Sequence, residues 1–427
     1  MKTHKLNLSS RAGLLTSVLL AIAATARSAD TPTLKDAYKD YFYVGAAINR
    51  SLATGTAFRR TSDQLNKDIA LLKEQFNQIV AENDLKWLLI HPRPGADGYN
   101  FGPADAFVNF GVSNQMYLVG HTLVWHAQTP FWVFQGTNLP PGVTNASLPE
   151  SAATTNAAGI NEPSVRRFGG GFGGGFGRRA FTGPRASREE LLHRMRDHIH
   201  TVVRRYKGKI KVWDVVNEAI ADGGTNVLRP SLWLEIIGPD YIAKAFAYAH
   251  EADPDAILRY NDYGLENPAK RQKLITLIKS LREQHVPVMA IGSQTHVTVS
   301  SPSFEEMDQA LTEMETLGLP IHITELDVNS AQGGQRNTGA DIADNAATTQ
   351  GGVVEDADRK LADAYAGLFR AFVKHDKSVK MVTFWGVNDA LSWRSRGRPL
   401  LFDGNNQPKP AFDAVIRAAT GPRPNSR

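Results

Sequence analysis

The chain has 427 residues and no cysteine. Disulfide bonds, a thiolate nucleophile and cysteine-ligated zinc are therefore excluded. A charge excess is lacking as well: the formal net charge is +5, but residues 1–28 hold four Lys or Arg and no Asp or Glu, so the remainder carries 44 basic against 43 acidic residues. A nearly neutral chain has no electrostatic reason to bind nucleic acid, whereas an uncharged polymer is a sensible partner.

The apolar run near the N-terminus, residues 12–24, is too short to span a bilayer comfortably. Lys2, Lys5 and Arg11 precede this run, and small residues that suit signal cleavage follow it. This order predicts an export signal over residues 1–28. We therefore expect a secreted or periplasmic protein with no stable membrane association after cleavage. A retained N-terminal anchor is the alternative.

Apolar, β-rich segments alternate with helical patterns over the rest of the chain. The eight candidate strands are residues 41–47, 75–80, 116–124, 210–216, 257–260, 288–291, 320–323 and 381–385. This alternation is typical of parallel βαβ units, and eight of them predict an α/β fold of the (β/α)8 TIM-barrel type. An open doubly wound sheet shows the same alternation and is the alternative.

The helices between these strands carry start signals of their own. Capping boxes are predicted for Thr61 with Gln64, Ser187 with Glu190 and Ser303 with Glu306, and Asn267–Pro268 predicts an N-cap followed by proline. On the helix after Ser187, the spacing of His193, His198 and His200 does not place all three on one face. We therefore expect these histidines on a solvated helix surface.

Two segments interrupt the alternation. Residues 136–186, after the third strand, are rich in glycine and contain a Phe/Gly/Arg run at 168–179. Such runs also occur in RNA-binding tails, but the near-neutral charge argues against that function. Residues 331–356, after the seventh strand, are polar. Both segments are predicted to be insertions in a single domain over residues 29–427, the first of them flexible.

Two glutamates end apolar, strand-like segments of similar design. Glu218 closes the run WDVVNEA at 213–219, and Glu325 lies 107 positions later in ITELD at 323–327. A pair of glutamates at the C-terminal ends of buried strands is what acid/base and nucleophilic chemistry on a glycosidic bond requires. For either glutamate alone, pairing with an arginine or capping a helix is the structural alternative.

Polar and aromatic residues also follow most of the other candidate strands. They include Glu82, Asn83, Lys86, Trp87, His121, Trp125, Asn261, Tyr263, Gln294, His296, Trp385 and Trp393. In a barrel these strand ends converge on one face. Tryptophans offer flat apolar faces to pyranose rings, and the polar side chains supply hydrogen bonds to hydroxyls; ordinary core packing is the alternative for the tryptophans. His121 and His126 suggest a metal pair, but no H-E-x-x-H helix accompanies them, so neither a metal nor a cofactor is predicted.

The ordered blocks of this sequence resemble glycoside hydrolase family 10, whose typical members are secreted endo-β-1,4-xylanases with a (β/α)8 barrel. The matching blocks are ENDLKW at 82–87, GHTLVWHAQTPFW at 120–132, WDVVNEA at 213–219, YNDY at 260–263, GSQTH at 292–296, ITELDV at 323–328 and FWGVNDALSW at 384–393. Together they cover residues 41–418 in the family's order. The resemblance therefore implies that residues 29–427 form a single catalytic domain of this family, with the glycine-rich insertion as its main departure.

The resemblance also implies roles for five residues. Glu218 would be the general acid/base and Glu325 the nucleophile of a retaining double displacement, with carboxyl groups about 5–5.5 Å apart. Asn217 would bind the sugar's 2-hydroxyl, and His296 would lie between Glu325 and Asp327. Glu218 then needs a pKa above the usual value of about 4.3, whereas Glu325 must stay ionised.

The substrate-binding residues implied are Glu82, Asn83, Lys86, Trp87, His121, Trp125, Asn261, Tyr263, Gln294, Trp385 and Trp393. We therefore expect a monomeric, secreted endo-1,4-β-xylanase that acts on xylan or xylo-oligosaccharides and needs no cofactor. A hydrolase of short xylo-oligosaccharides is the alternative enzyme. A glycan-binding barrel without catalysis is the alternative of another class.

Overall fold

The computed structural model describes residues 31–136, 184–330 and 354–421. The predicted export signal and most of both predicted insertions lie outside the described residues. The fold below belongs to the unit Thr33–Arg427.

Ten strands build the sheet. They are β1 Tyr43–Ile48, β2 Gln78–Ala81, β3 Tyr117–Gly120, β4 Val124–Trp125, β5 Ile210–Asn217, β6 Ile257–Asp262, β7 Ala290–Ser293, β8 His296–Thr298, β9 Ile321–Asn329 and β10 Val379–Phe384. Eight of them pair in parallel in the order β1-β2-β3-β5-β6-β7-β9-β10, and β10 pairs again with β1. The sheet is therefore a closed barrel, which confirms the (β/α)8 prediction and excludes the open sheet. The short strands β4 and β8 extend it by pairing with β5 and β9.

Twelve α-helices accompany these strands in the described residues. They are α1 Leu34–Ala37, α2 Arg50–Thr54, α3 Ser62–Gln75, α4 Trp87–Ile90, α5 Gly102–Ser113, α6 Arg188–Arg205, α7 Leu232–Ile237, α8 Tyr241–Ala252, α9 Pro268–Glu283, α10 Phe304–Glu315, α11 Val354–Lys374 and α12 Pro410–Thr420. None of the helices in the described ranges is long and apolar enough to cross a membrane.

The predicted helix starts are mostly confirmed. Complete capping boxes begin α3 and α10, and Asn267 accepts backbone hydrogen bonds ahead of the proline that starts α9. At α6, Ser187 accepts a hydrogen bond from the backbone of Glu190, but the reciprocal bond is missing because the Glu190 carboxylate pairs with Arg194. The prediction of a full box there is wrong.

Four further details differ from the sequence-based expectation. Gln75 ends α3 instead of beginning a strand, and the third predicted strand breaks into β3 and β4 at residues 121–123. Residues 354–356, assigned to the polar insertion, already belong to α11. His198 is fully buried and stacks on Trp87, so it is not on a solvated surface as His193 is.

The apolar core has two layers because successive side chains of a strand point to opposite faces. A small cluster fills the barrel interior and consists of Ala47, Val80, Val119, Val212, Met381 and Trp385. A much larger cluster packs the outer face of the strands against the helices. Trp385 closes the inner cluster just past the C-terminal end of β10, so the apolar interior ends where the polar strand ends begin.

Candidate active site

Glu218 and Glu325 occupy different positions relative to their strands. Glu218 directly follows β5 and has a φ of 57°, in the left-handed region. This conformation costs a residue with a side chain about 1–2 kcal/mol. Two hydrogen bonds of its backbone groups hold Glu218 in this conformation. The Glu218 N–H donates to the Asn261 carbonyl at 2.9 Å, and the Glu218 carbonyl accepts from Arg229 Nε at 3.1 Å. Glu325 lies inside β9, because β9 continues past it to pair with β8, and is not at a strand end as predicted.

Both oxygens of the Glu218 carboxyl group accept hydrogen bonds. Trp125 Nε1 donates to Oε2 at 2.9 Å, and Gln294 Nε2 donates to Oε1 at 2.9 Å. The side chain is only 1% exposed. Its orientation is therefore determined by two donors that come from different strand ends.

A chain of amides connects Glu218 to Glu325. Gln294 Nε2 also donates to Asn217 Oδ1 at 3.3 Å, and Asn261 Nδ2 donates both to Asn217 Oδ1 at 2.8 Å and to Glu325 Oε1 at 2.9 Å. All of these side chains are buried. The two carboxyl groups thus belong to one hydrogen-bond network, and displacing one amide disturbs both.

Asn261 has a different task from the predicted contact with substrate. Both hydrogens of its amide are donated, and its Oδ1 accepts from Thr324 Oγ1 at 2.7 Å. Its donor capacity is therefore used up within the protein. The structure makes Asn261 a residue that positions Asn217 and Glu325.

His296 lies between Glu325 and Asp327, as the resemblance implied. Its Nε2 is 3.2 Å from Glu325 Oε2, and its Nδ1 is 3.0 Å from Asp327 Oδ2. Burial alone would lower the pKa of His296, but the two carboxylates outweigh burial and raise that pKa to about 9. His296 is therefore a cation at neutral pH.

The charge of Glu325 follows from this neighbour. Burial alone would raise the pKa of Glu325, but the hydrogen bond from His296 and the charges of His121 and His296 lower it below the usual value. Asp327 is held in turn by Arg394 at 2.8 Å and by Trp393 Nε1 at 2.7 Å. The site thus keeps Glu325 ionised, which is the state a nucleophile requires.

A buried ion cluster beneath the site was not predicted from the sequence. Asp214 accepts two hydrogen bonds from Arg259, at 2.7 and 3.0 Å, and lies 3.0 Å from His121 Nδ1. Burial would raise the pKa of Asp214, but Arg259 and His121 lower it to about 2. The cluster fixes His121 against Trp385, whose ring centroid is 5.5 Å away. Asp214 precedes Glu218 by four residues, yet no local pattern reveals that Arg259 reaches it.

A second unpredicted cluster surrounds Tyr263. Its hydroxyl donates to Asp222 at 2.7 Å and accepts from Arg229 at 2.7 Å, and the Lys270 ammonium lies 3.4 Å from the ring centroid. Lys270 and Arg229 both pair with Asp222. Since Arg229 also contacts the Glu218 carbonyl, this cluster fixes Tyr263 relative to the acid/base candidate.

The remaining predicted substrate contacts separate into two groups. Lys86 lies 5.2 Å from the centroid of the Trp125 ring and donates to Asn83 Oδ1, while Glu82 and Asn83 are half-buried just after β2. Trp87 does not share this location. Its ring belongs to the outer core and stacks on His198 at 3.7 Å, so the prediction that it contacts substrate is wrong.

Pairs of buried carboxyl groups at the top of a closed (β/α)8 barrel, one of them ionised and surrounded by tryptophans and amides, are typical of glycoside hydrolases. Comparison with known proteins agrees with this class. The model of the family described as "Glycosyl hydrolase family 10" matches residues 33–151 and 179–418. This chain belongs to glycoside hydrolase family 10 and is a glycoside hydrolase. Residues 152–178, inside the predicted glycine-rich insertion, lie outside the match.

Similar sequences and structures cover nearly the whole chain. A β-1,4-xylanase of Dictyoglomus thermophilum is 35% identical over 95% of this chain and 96% of its own length. An endo-1,4-β-xylanase of Geobacillus stearothermophilus is 36% identical over 90% and 98%. Among solved structures, a GH10 endoxylanase from a sugarcane soil metagenome has a TM-score of 0.72 at 34% identity, covering 91% of this chain and 99% of that chain. The intracellular xylanase TsXylA of Thermoanaerobacterium saccharolyticum, in a complex with xylotetraose, has a TM-score of 0.69 at 34% identity with the same coverage.

Proposed function

We propose that this protein is an endo-1,4-β-xylanase that cleaves internal bonds of xylan with retention of configuration. The observation that carries the proposal is the network that joins Glu218 to Glu325 through Gln294, Asn217 and Asn261. The relatives described above are named as xylanases, which supports xylan as the substrate.

In the first step, Glu325 attacks the anomeric carbon while Glu218 gives its proton to the departing glycosidic oxygen. Glu325 is suited to the attack because His296 holds it ionised. In the second step, Glu218 takes a proton from water, which displaces Glu325 from the glycosyl ester. The loss of the Glu325 charge in the ester favours this change of role, since Glu218 then ionises next to a neutral group.

The amides supply the contacts that the sugar needs. Asn217 Oδ1 already accepts from Asn261 and Gln294, so the Asn217 Nδ2 group is the part that can donate to a sugar 2-hydroxyl. Gln294 Oε1 is buried and has no partner within the described part of the chain, so it can accept from a sugar hydroxyl. A contact to the 2-hydroxyl that strengthens in the transition state accelerates the reaction.

The direct test replaces Glu325 with Gln, which keeps its shape and removes the nucleophilic charge. We expect no detectable release of reducing sugar from xylan, while Glu283→Gln on the exposed end of α9 keeps full activity. Proton NMR of early products should show the β-anomer, and oligosaccharides of several lengths should precede xylobiose. An active Glu325→Gln enzyme or an initial α-anomer would refute the mechanism.

The same proposal includes export through the N-terminal signal. The basic residues followed by the apolar run at 12–24 support it. Mass spectrometry of the enzyme recovered outside the cytoplasm should find an N-terminus near residue 29. An uncleaved, cytoplasmic enzyme would contradict this part and leave the catalytic proposal intact.

The alternative of a hydrolase restricted to short xylo-oligosaccharides predicts a different result. That enzyme would cleave xylotriose much faster than polymeric xylan. We expect the opposite order.

A further inference from the structure

The pairing with β9 changes register between β7 and β8, where the chain carries the active-site residues Gln294 and His296. Ser293 of β7 pairs with Ile323 of β9, whereas His296 of β8 pairs with Asp327 of the same strand. The advance of three residues from Ser293 to His296 therefore lies opposite an advance of four residues from Ile323 to Asp327. Because of this irregularity, His296 comes to lie opposite Asp327 and within reach of Glu325.

Thr295 lies at this register change and has a φ of 56°. The left-handed region is strained for a β-branched residue and persists only where surrounding contacts hold it. Thr295 separates Gln294, which donates to Glu218, from His296, which contacts Glu325. Its conformation therefore affects both carboxyl groups of the site.

Ser293 and Glu266 hold the Thr295 hydroxyl. Its Oγ1 lies 3.1 Å from Ser293 Oγ and 3.3 Å from the Ser293 carbonyl. It also shares a hydrogen bond with the side chain of Glu266, which belongs to the loop between β6 and α9. Glu266 is thus a contact between that loop and the strained residue.

The Glu266 carboxyl group has an unusual environment. Its Oε1 is buried and has no partner within residues 31–136, 184–330 and 354–421. The cations that face it are His296 and Lys270, but Lys270 lies within 2.9 Å of both Asp222 and Asp262. Burial raises the pKa of Glu266 and outweighs both cations. The hydrogen bond with Thr295 acts against burial and lowers that pKa, so it stabilises the charged form of the carboxyl group.

We propose that Glu266 is a positioning residue for hydrolysis: its side chain holds Thr295 in the left-handed conformation and thereby fixes the neighbouring side chains against Glu218 and Glu325. The proposal rests on the function proposed above. Glu266 acts through Thr295 and does not touch the substrate.

The test compares Glu266→Gln, which keeps a hydrogen-bonding group of the same size, with Glu266→Met, which keeps only the bulk. With an aryl β-xylobioside as substrate, we expect Glu266→Gln to keep kcat within about twofold. Glu266→Met should lose about 10- to 100-fold in kcat with little change in KM, because small displacements of catalytic groups have effects of this size. If Glu266→Met does not fold, Glu266→Asp, which withdraws the carboxyl group, takes its place.

A second background tests the route through Thr295. Glycine adopts positive φ without strain, so Thr295→Gly removes the need for support. In the Thr295→Gly background, Glu266→Met should change kcat by less than about twofold, because glycine keeps the positive φ without the contact to Glu266. An equal loss in both backgrounds would overturn the proposal, as would a Glu266→Gln enzyme as impaired as Glu266→Met or a Glu266→Met enzyme with unchanged kcat.

A readout without catalysis separates this proposal from the proposed function. The His296 imidazole, assigned with the help of His296→Gln, is followed by ¹⁵N NMR. Its pKa, about 9 in the parent chain, should be kept in Glu266→Gln and lowered in Glu266→Met, because the contact with Glu325 loosens. An inactive parent enzyme would refute the xylanase function alone. An unchanged His296 titration in Glu266→Met would refute the positioning role whatever the activity.

Discussion

Replacing His296 with Gln should move the acidic limb of the pH profile of kcat/KM to higher pH, so that the enzyme is active over a narrower pH range. In the parent chain His296 is a cation whose Nε2 lies 3.2 Å from Glu325 Oε2, and its hydrogen bond and charge lower the pKa of Glu325. A hydrogen bond to a charged group contributes about 1.5–3 kcal/mol, and one pKa unit corresponds to about 1.4 kcal/mol. The acidic limb of kcat/KM should therefore move to higher pH by about one to two units.

The assay measures kcat/KM for an aryl β-xylobioside from pH 3 to pH 9, with circular dichroism at each pH to confirm folding. At a pH below both acidic limbs, the variant should be about 10- to 100-fold slower than the parent, and the difference should shrink toward neutral pH. A uniform loss at every pH would show that His296 acts by packing alone. An unmoved acidic limb would refute the electrostatic reasoning.

The same substitution should also change how stability depends on pH. The folded state raises the pKa of His296 from 6.5 to about 9. A raised pKa contributes stability that is fully present below pH 6.5 and is lost as pH rises through about 9; here it is of order 3 kcal/mol. Urea unfolding at pH 6 and pH 10 should show this loss in the parent chain and a smaller loss in His296→Gln.

Three further substitutions have distinct expected outcomes. Asn261→Leu should lower kcat by at least about 100-fold with a smaller effect on KM, because it releases Asn217 and Glu325 together; steady-state kinetics checks this. Asp214→Asn should destabilise the fold by about 3–5 kcal/mol in urea unfolding, since it leaves Arg259 as an uncompensated buried cation. Trp87→Ala should cost about 3–5 kcal/mol of stability while KM stays unchanged, and a raised KM would restore Trp87 as a substrate contact.

Periodic features were predictable from the sequence because they depend on neighbouring residues. Eight apolar segments separated by helical patterns predicted the barrel, with an open doubly wound sheet as the alternative that only strand pairing excluded. The boxes Thr61–Gln64 and Ser303–Glu306 were visible from a spacing of three. The box at Ser187 failed because the spacing does not show that Arg194 competes for Glu190.

Long-range contacts were not predictable in the same way. Trp87 and His198 are separated by more than a hundred positions; Trp87 follows a polar strand end, and His198 lies on a helix rich in arginine. Packing of α4 against α6 buries both and stacks their rings at 3.7 Å. Arg259 reaches Asp214 because β6 pairs with β5, and Arg229 reaches Tyr263 because the loop after β5 lies beside the end of β6.

By itself, the sequence determined the eight strands of the barrel, the order of the polar strand ends and the positions of the two glutamates, because these are properties of local pattern and composition. Only the tertiary structure decided what each side chain does at the site. In the folded chain, Asn261 donates its amide hydrogens to Asn217 and Glu325 and so positions both side chains. Glu325 lies inside its strand, and Thr295 has a strained conformation beside Glu266. These outcomes depend on strand register and on which groups share a buried volume, and both are set by the packing of the whole barrel.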